Sequence, residues 1–314
     1  MTSLDQSPAG TRIRPRAKRV RETKADRAVL TGIYVFLTFI AVVILFPLVY
    51  IVAASFSSAD AVITGKVWLW PVKPTLTAYS AVFHFPAVWR GYLNSIIYTV
   101  AGTALSVTLS VLFGYPLSRK ELYGRKLFTF LLLFAFLFNG GIIPLFLVVH
   151  DLDMLDTRWA MIVPGALSIF SVILSRTFFA TTIPDALIEA AEIDGANEFR
   201  ILWQIVLPMS KPIIAVLALI FAVSQWNSYF YALIFLNNQN LFPLQLILRQ
   251  ILVLNQLSTA NITNLSPQEI QRFQDLSTLL KYALIVIGSL PMLVLYPFAQ
   301  KYFVKGMQIG SLKG

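Results

Sequence analysis

Residues 183–195 read IPDALIEAAEIDG, and this segment decides how the rest of the chain is interpreted. Pro184 suits the first position of a helix, where its missing N–H is not needed, and Asp185 favours the positive end of the helix dipole. Gly195 suits the left-handed residue that ends a helix. The segment is therefore predicted to form a helix of about three turns.

This short helix has two distinct faces. Asp185, Glu189 and Glu192 fall at i, i+4 and i+7 and form an acidic stripe. A second face repeats that spacing with small or apolar residues, Ala186, Ala190 and Ile193. The pattern alone favours two interpretations equally: a surface helix with a solvated acidic face, or a helix that docks against a partner through its alanines.

A second short helix is predicted directly after the first. Its apolar side is formed by Phe199, Leu202, Trp203 and Val206. Pro208 and Pro212 are expected to separate it from the long apolar stretch that follows.

The segment lies among six long uncharged stretches, at residues 28–59, 91–118, 127–150, 159–175, 212–248 and 282–300. Each holds, or with its flanks approaches, the roughly 20 apolar residues that a helix needs to cross a bilayer. The alternating pattern of a membrane β-strand is absent from the sequence. We therefore predict an all-α integral membrane protein with six transmembrane helices, and divide it into an N-terminal tail at 1–27, a membrane domain at 28–306 and a C-terminal tail at 307–314.

Composition supports the membrane class. Of the 314 residues, 57% are hydrophobic and only 13% are charged, whereas soluble proteins carry about 25% charged residues. This balance excludes an ordinary soluble protein and a disordered chain. Zero cysteines exclude disulfide frameworks, thiolate metal sites and cysteine nucleophiles, and leave the redox compartment unreadable.

The net charge of +10 is explained by topology. In the six-helix arrangement, 18 of the 25 Lys and Arg residues lie on the side of the two termini, eight of them in the N-terminal tail. The positive-inside rule then predicts that both termini and the 183–208 loop are cytoplasmic. The basic tail thus indicates orientation and does not indicate nucleic-acid binding. The tail and the apolar run after it together resemble a secretory signal. This run exceeds the 7–15 residues of a signal core, so we expect it to remain as the first helix.

Several function classes lack their residues. No acidic residue lies in the middle of a predicted span, which counts against a proton- or cation-coupled transporter. The two histidines, His84 and His150, lie near the predicted outer surface and form no metalloprotease motif. No GxxxxGK[ST] loop is present, so we expect the chain to bind no ATP by that route and to carry no cofactor or metal of its own.

Neutral polar residues are what the predicted spans do contain. An unpaired amide is costly in hydrocarbon, so such residues must face either protein or water. The cluster in the fifth span has two about equally good interpretations: its residues bond helices to one another, or they line a polar path. Amides and aromatic rings together suit neutral sugars. The candidate substrate-path residues are Asn94, Asn139, Gln225, Trp226, Asn227, Tyr229 and Tyr231.

The 183–195 segment and the residues after it also resemble a known motif. Its matching residues are Glu189-Ala190-Ala191, Asp194-Gly195-Ala196, Ile205 and Pro208, and they resemble the EAA loop of ATP-binding-cassette importer permeases in spacing and in position before the penultimate span. The wider chain, over residues 28–314, resembles the maltose-type carbohydrate permeases, in particular the MalG-like subunit and its LplC group. The residues that carry this wider resemblance are GYPLSR at 114–119, WNSY at 226–229 and GSLKG at 310–314.

The resemblance implies a type I importer permease fold in which the EAA segment is a coupling helix. It implies that Glu189, Ala190, Ala191, Asp194, Gly195, Ala196 and Pro208 meet a cytoplasmic ATPase. It also implies that the C-terminal tail, with Gln308, Gly310, Lys313 and Gly314, reaches between two ATPase subunits, and that the outer loop at 237–281 meets a sugar-binding protein. The implied partners are a second homologous permease, two ATPase subunits that bind ATP and Mg²⁺, the sugar-binding protein, the lipid bilayer and an oligosaccharide, with no nucleic acid.

The expected function is that of a non-enzymatic, multi-pass permease subunit in a bacterial cytoplasmic (inner) membrane, which imports oligosaccharides using ATP hydrolysed on a separate chain. The alternatives are an ATP-independent secondary sugar transporter and a membrane enzyme or scaffold with an acidic docking helix. The sugar stays open between neutral and uronic-acid types. Because no basic residue lies near mid-membrane, a carboxylated sugar would need cations from the partner permease or the binding protein.

Overall fold

The computed structural model describes the backbone of residues 23–138, 140–260 and 267–311, and the side chains within this part up to residue 253, at residue 271 and from 275 to 297. All regular structure in the described residues is helical. The helices, in chain order, are α1 Lys24–Ser55, α2 Ala59–Ile63, α3 Thr77–Phe83, α4 Pro86–Ser118, α5 Arg125–Leu137, α6 Ile142–Asp151, α7 Trp159–Ile162, α8 Ile169–Thr182, α9 Asp185–Ile193, α10 Glu198–Ile201, a π-helical turn Leu202–Val206, α11 Leu207–Met209, α12 Lys211–Trp226, α13 Tyr229–Phe235, a 3₁₀ turn Gln239–Leu241, α14 Leu244–Ala260 and α15 Pro267–Ser311.

Three of the described helices are long and apolar enough to cross a membrane: α1, α4 and the 275–297 part of α15. Two bent pairs, α5 with α6 and residues 198–209 with α12, bring the number of spans to five if each pair is counted as one. Helix α8 and residues 244–253 of α14 are apolar but shorter. The all-helical membrane class is confirmed, whereas the count of six spans and the proposed domain bounds stay predictions.

Two predicted stretches are divided differently from the sequence interpretation. The fourth stretch, 159–175, breaks between α7 and α8, because Pro164 and Gly165 interrupt it, and α8 then continues to Thr182. The fifth stretch, 212–248, ends as a helix at Trp226 and is followed by α13 and by the first residues of α14. The predicted outer loop at 237–281 therefore contains helical segments, in α14 and at the start of α15.

The apolar side chains of residues 244–248 explain why a helix begins at Leu244. Leu244, Leu246, Ile247 and Leu248 are buried in a core with residues of α4, α12 and α15. Their burial stabilises the start of α14.

The chain separates into two units, with the boundary between Val49 and Tyr50. The described residues of the first unit belong to α1 and the residue before it, and the side chains there are exposed. In the second unit α4 is the central helix, and three of its glycines are points of close approach. A methyl group on Gly91 would collide with Ile247 of α14, one on Gly102 with Gln225 of α12, and one on Gly114 with Ser175 of α8. Small residues at such points let helix backbones approach closely in membrane proteins.

Candidate functional site

The helix of the 183–195 segment is α9, and both of its ends follow from the sequence. Pro184 has extended backbone angles and Asp185 is the first helical residue. At the other end Gly195 has φ +74°. The Gly195 N–H donates to the Glu192 carbonyl at 2.9 Å and the Ala196 N–H to the Ala191 carbonyl at 2.9 Å. These two bonds form a Schellman motif, which stops the helix after nine residues.

One side of α9 is packed against the rest of the second unit. Ile188 and Ala191 are buried in a core that includes Tyr115 of α4 and Phe179 of α8. The rings of Tyr115 and Phe179 meet edge to face, with centroids 6.1 Å apart. Ala191 is therefore a packing residue in this chain and does not lie on the exposed face that a partner would contact.

Polar contacts fix α9 to the end of α4. Lys120 Nζ lies 2.9 Å from Asp185 Oδ2, and Arg119 lies 3.5 Å from Asp185 Oδ1. The hydrogen bond and charge of Lys120 lower the pKa of Asp185, and the same contact raises the pKa of Lys120, so the pair stays ionised around neutral pH. Tyr115 Oη also donates to Glu198 Oε2 at 3.1 Å, which joins α4 to the segment after α9.

The opposite side of α9 is exposed and carries a mixed acidic and apolar surface. Glu189 and Ala190 are exposed, and within the described residues Glu189 has no ion-pair partner. Ile193 is 87% exposed, Phe199 71% and Trp203 65%. We call Glu189, Ala190, Ile193, Phe199 and Trp203 the docking face. Large apolar side chains beside unpaired carboxylates are typical of a surface that binds another protein.

The apolar side predicted for the second short helix is divided between core and surface. Leu202 and Val206 are buried, whereas Phe199 and Trp203 belong to the docking face. Residues three positions apart on a helix point about 60° apart, so a pattern that fits one broad stripe also fits two adjacent ones. Pro208 lies in α11, and an 80° bend separates residues 198–209 from α12.

The predicted ATPase-interface tail is only partly described. Gln308 and Gly310 lie in the last turns of α15, with no description of the Gln308 side chain, and Lys313 and Gly314 lie outside the described residues. Asn139, a candidate path residue, also lies outside them.

A second site is a cavity of about 790 Å³ where two interrupted helices meet. The break between α12 and α13 at Asn227 and Ser228 lies on one side of it, and Gly140 and Gly141, before α6, lie on the other. The turn around Pro164 and Gly165 completes the wall. Irregular backbone at membrane depth is tolerated where it lines a cavity, and broken helices mark substrate sites in many transporters.

The polar groups of this cavity are neutral. The polar lining residues are Ser224, Gln225, Asn227, Ser228 and Tyr231, and no Asp, Glu, Lys or Arg of the described residues lines it. Asn227 lines the cavity, and its Nδ2 donates to the Val223 carbonyl at 2.8 Å. Tyr231 stacks on Phe235 with centroids 5.6 Å apart. Amide, hydroxyl and aromatic groups of this kind suit hydroxyl-rich ligands.

Three of the predicted path residues lie elsewhere. Asn94 is buried, and its Nδ2 donates to the Asn240 carbonyl at 2.8 Å and to the Phe242 carbonyl at 3.1 Å. Trp226 is buried, and its Nε1 donates to the Gly288 carbonyl at 3.0 Å. Tyr229 is half exposed and is not part of the cavity wall. The structure therefore brings Gln225, Asn227 and Tyr231 together and uses Asn94 and Trp226 as bonds between helices.

The sequence interpretation missed the wall opposite these residues. Pro164 and Gly165 carry no functional group, and they lie inside the apolar stretch 159–175 that was predicted as one span. A Pro-Gly pair within a predicted span is nevertheless a signal for a helix break, and this signal was available.

The comparisons with known proteins identify the family. Residues 8–309 match the family described as binding-protein-dependent transport system inner membrane component. The chain belongs to this family. The permease is 40% identical over 285 residues to the polygalacturonan/rhamnogalacturonan transport system permease protein YtcP of Bacillus subtilis, covering 90% of this chain and 97% of that protein. It is also 40% identical over 298 residues to protein LplC of B. subtilis, covering 94% and 98%.

A solved structure agrees with this assignment. The permease superposes with a TM-score of 0.78, at 35% identity, on a chain from a bacterial ABC transporter involved in the import of the acidic polysaccharide alginate. The match covers 90% of this permease and 99% of that chain. The resemblance read from the EAA segment is thus confirmed at the level of family and fold, and the protein is an ABC-type permease of the inner membrane, a transport component.

Proposed function

We propose that this permease is one of two membrane subunits of an ATP-driven importer whose cargo is oligosaccharides from uronic-acid-containing polysaccharides. Two similar proteins support the cargo class, since one is a polygalacturonan/rhamnogalacturonan transport permease and the other belongs to a transporter involved in the import of the acidic polysaccharide alginate. The cavity between the broken helices carries the proposal for this chain. Its volume of about 790 Å³ lies within the range of small-ligand sites, and its amides and ring meet the needs of sugar hydroxyls.

In this proposal the hydroxyls and the carboxylates of the sugar are recognised by different subunits. Because no charged side chain in the described part of the chain lines the cavity, this permease is proposed to bind sugar hydroxyls and ring faces, while the carboxylates are neutralised by the second permease or the binding protein. A carboxylate in a low-dielectric path without a cation would be strongly disfavoured, so the complementary charge has to come from a partner.

The docking face supports the proposed contact with the ATPase. Glu189 is unpaired among the described residues. Ile193, Phe199 and Trp203 are large apolar side chains that stay exposed, and such a patch typically marks a surface that binds a partner. In this proposal each of two ATPase subunits binds ATP and Mg²⁺, and one of them receives the docking face. Both termini and the docking face are then cytoplasmic, the C-terminal tail reaches the ATPases, and the sugar-binding protein docks on the opposite side near residues 237–281.

An uptake assay with the complete transporter in proteoliposomes tests the cargo. The panel pairs galacturonate oligosaccharides with neutral oligosaccharides of the same length, in the presence of the cognate binding protein and internal ATP. We expect ATP-dependent uptake of the acidic sugars and at least tenfold less uptake of the neutral ones. Preferential uptake of neutral sugars would contradict the cargo class, and transport by this chain alone, driven by an ion gradient, would contradict the ATP-driven mechanism.

A further inference from the structure

A second group of charged residues lies on the face of the molecule that carries α9, outside both sites described above. A cavity of about 760 Å³ is formed by the connection between α4 and α5, the first turns of α5, and α8. Four cationic side chains line it: Lys120, Arg125, Lys126 and Arg176. Lys120 also pairs with Asp185, the first residue of α9, which places the rim of the cavity beside the start of that helix.

Most of this positive charge is not neutralised within the described residues. Lys120 has its partner in Asp185, and Arg176 Nε donates to the Leu117 carbonyl at 3.2 Å. Arg125 and Lys126 form no ion pair in the described part of the chain, and no acidic side chain lines the cavity. The cavity is therefore an electropositive concave surface.

The start of α5 adds to this potential. Gly124, at φ +74°, is the N-cap and offers no side chain to the free N–H groups of the first turn. No acidic residue occupies that turn, and Arg125 and Lys126 are there instead. Helix N-termini carry a partial positive charge that favours acidic residues, so two cations at this end are unfavourable in the absence of an anion. The arrangement indicates that an anion belongs to the functional state.

The same cavity continues along apolar side chains. Phe130 and Leu133 line it further along α5 and are 62% and 46% exposed. A small inorganic anion needs only the cationic end. An amphiphile with a phosphate at one end and acyl chains at the other matches both parts, and basic pockets between membrane helices are known to hold such headgroups.

We propose that this cavity binds an anionic phospholipid, with the headgroup phosphate against Arg125 and Lys126 and the acyl chains along Phe130 and Leu133. The site is separate from the sugar cavity and from the docking face, so it goes beyond the proposed function. Because Lys120 joins its rim to Asp185, the lipid contacts the connection that holds α9 against α4.

The test measures lipid bound to the purified transporter complex in detergent. The complex is titrated with phosphatidylglycerol or with phosphatidylcholine of the same acyl chains, and bound lipid is counted by native mass spectrometry. We expect a preference for phosphatidylglycerol that falls about tenfold or more in the double variant Arg125→Gln/Lys126→Gln, since each cation near an anionic headgroup contributes to binding. The control Lys66→Gln/Lys211→Gln removes the same charge outside the cavity and should bind as the unaltered protein does.

Two further measurements test the proposal even if the double variant does not assemble. Bound phosphatidylglycerol should decrease as salt is raised, while bound phosphatidylcholine should not. Inorganic phosphate at millimolar concentration should leave the lipid bound. Equal binding of the two lipids, equal loss in the control variant, or displacement of the lipid by inorganic phosphate would each overturn the proposal.

Discussion

Asparagines at membrane depth have two different roles in this chain, although the residue type is the same. Asn94 donates to two backbone carbonyls, at residues 240 and 242, and so fixes the turn before α14 to α4. Asn227 caps the end of α12 and faces the sugar cavity. The sequence identifies both as unusual in an apolar stretch, but it does not reveal which one has a partner nearly 150 positions away.

The two residues are therefore expected to respond oppositely to the same substitution. Asn94→Ala leaves buried carbonyls without a donor and should destabilise the protein by about 1–2 kcal/mol, seen as a lower unfolding temperature of the purified complex. Asn227→Ala should reduce sugar uptake about tenfold with an unchanged unfolding temperature, because it removes a partner for a sugar hydroxyl at an exposed position. If Asn227→Ala instead prevents assembly, Asn227 serves to join helices and the cavity assignment is wrong.

Gly195 is the residue for which sequence and structure agree most closely. Its left-handed backbone, at φ +74°, is required by the motif that ends α9. Gly195→Ala should cost about 1–2 kcal/mol, although no neighbouring atom would obstruct the added methyl group. Gly195→Asn is the matched control, because asparagine tolerates this conformation better. Thermal unfolding and ATPase co-purification should both rank the variants Gly, then Asn, then Ala, and an alanine variant as good as the asparagine variant would contradict the backbone argument.

At the scale of helices, α4 organises the second unit through close approaches that leave no room for side chains. Where α4 meets α8 at Gly114, a hydrogen bond also joins the two helices, because Ser175 Oγ donates to the Ser110 carbonyl at 2.7 Å. Gly114→Ala would force α4 and α8 apart at this bond. Overpacking of this kind typically costs about 1–3 kcal/mol, and we expect a matching loss of thermal stability of the assembled transporter.

Gly32→Ala in α1 is the control for this substitution. No atom lies within 4 Å of the position that its Cβ would take, and alanine favours a helix over glycine. The control should therefore be neutral or slightly stabilising. Equal destabilisation by both substitutions would show that the effect arises from the loss of glycine itself and not from helix contact.

Helix positions were predictable from the sequence where apolar length decides them, and unpredictable where tertiary contacts do. The charge-free stretch at 91–118 lies within α4, which begins at Pro86, and the 183–195 pattern became α9, whose proline and glycine mark its two ends. The stretch 212–248 was predicted as one span, whereas in the structure α12 ends at Trp226 and α14 begins at Leu244. In the structure Leu244 and Ile247 pack against α4 at Gly91, and that contact is not encoded in local periodicity.

For the molecule as a whole, α4 connects the two candidate sites. Near its end Tyr115 packs against the core under α9 and donates to Glu198, and further along Gly102 contacts Gln225 at the sugar cavity. One continuous helix therefore joins α9 to the cavity, and we expect a displacement of α9 to reach the cavity through it. Spatial continuity alone is an association, so energetic coupling needs a measurement.

Glu189→Lys provides that measurement, because it changes the docking face without touching the core beneath it. Glu189 is exposed and unpaired within the described part of the chain, so reversal of its charge should leave folding intact and weaken ATPase association on the order of tenfold, as like charges do at an interface. ATP hydrolysis should also lose its dependence on sugar and binding protein. Asp151→Lys is the control, since this carboxylate is 76% exposed at the end of α6, outside the docking face, and takes no part in the contact between Arg119 and Asp185 that holds α9. Equal uncoupling by the two variants would assign the effect to overall charge, whereas uncoupling by Glu189→Lys alone assigns it to the docking face.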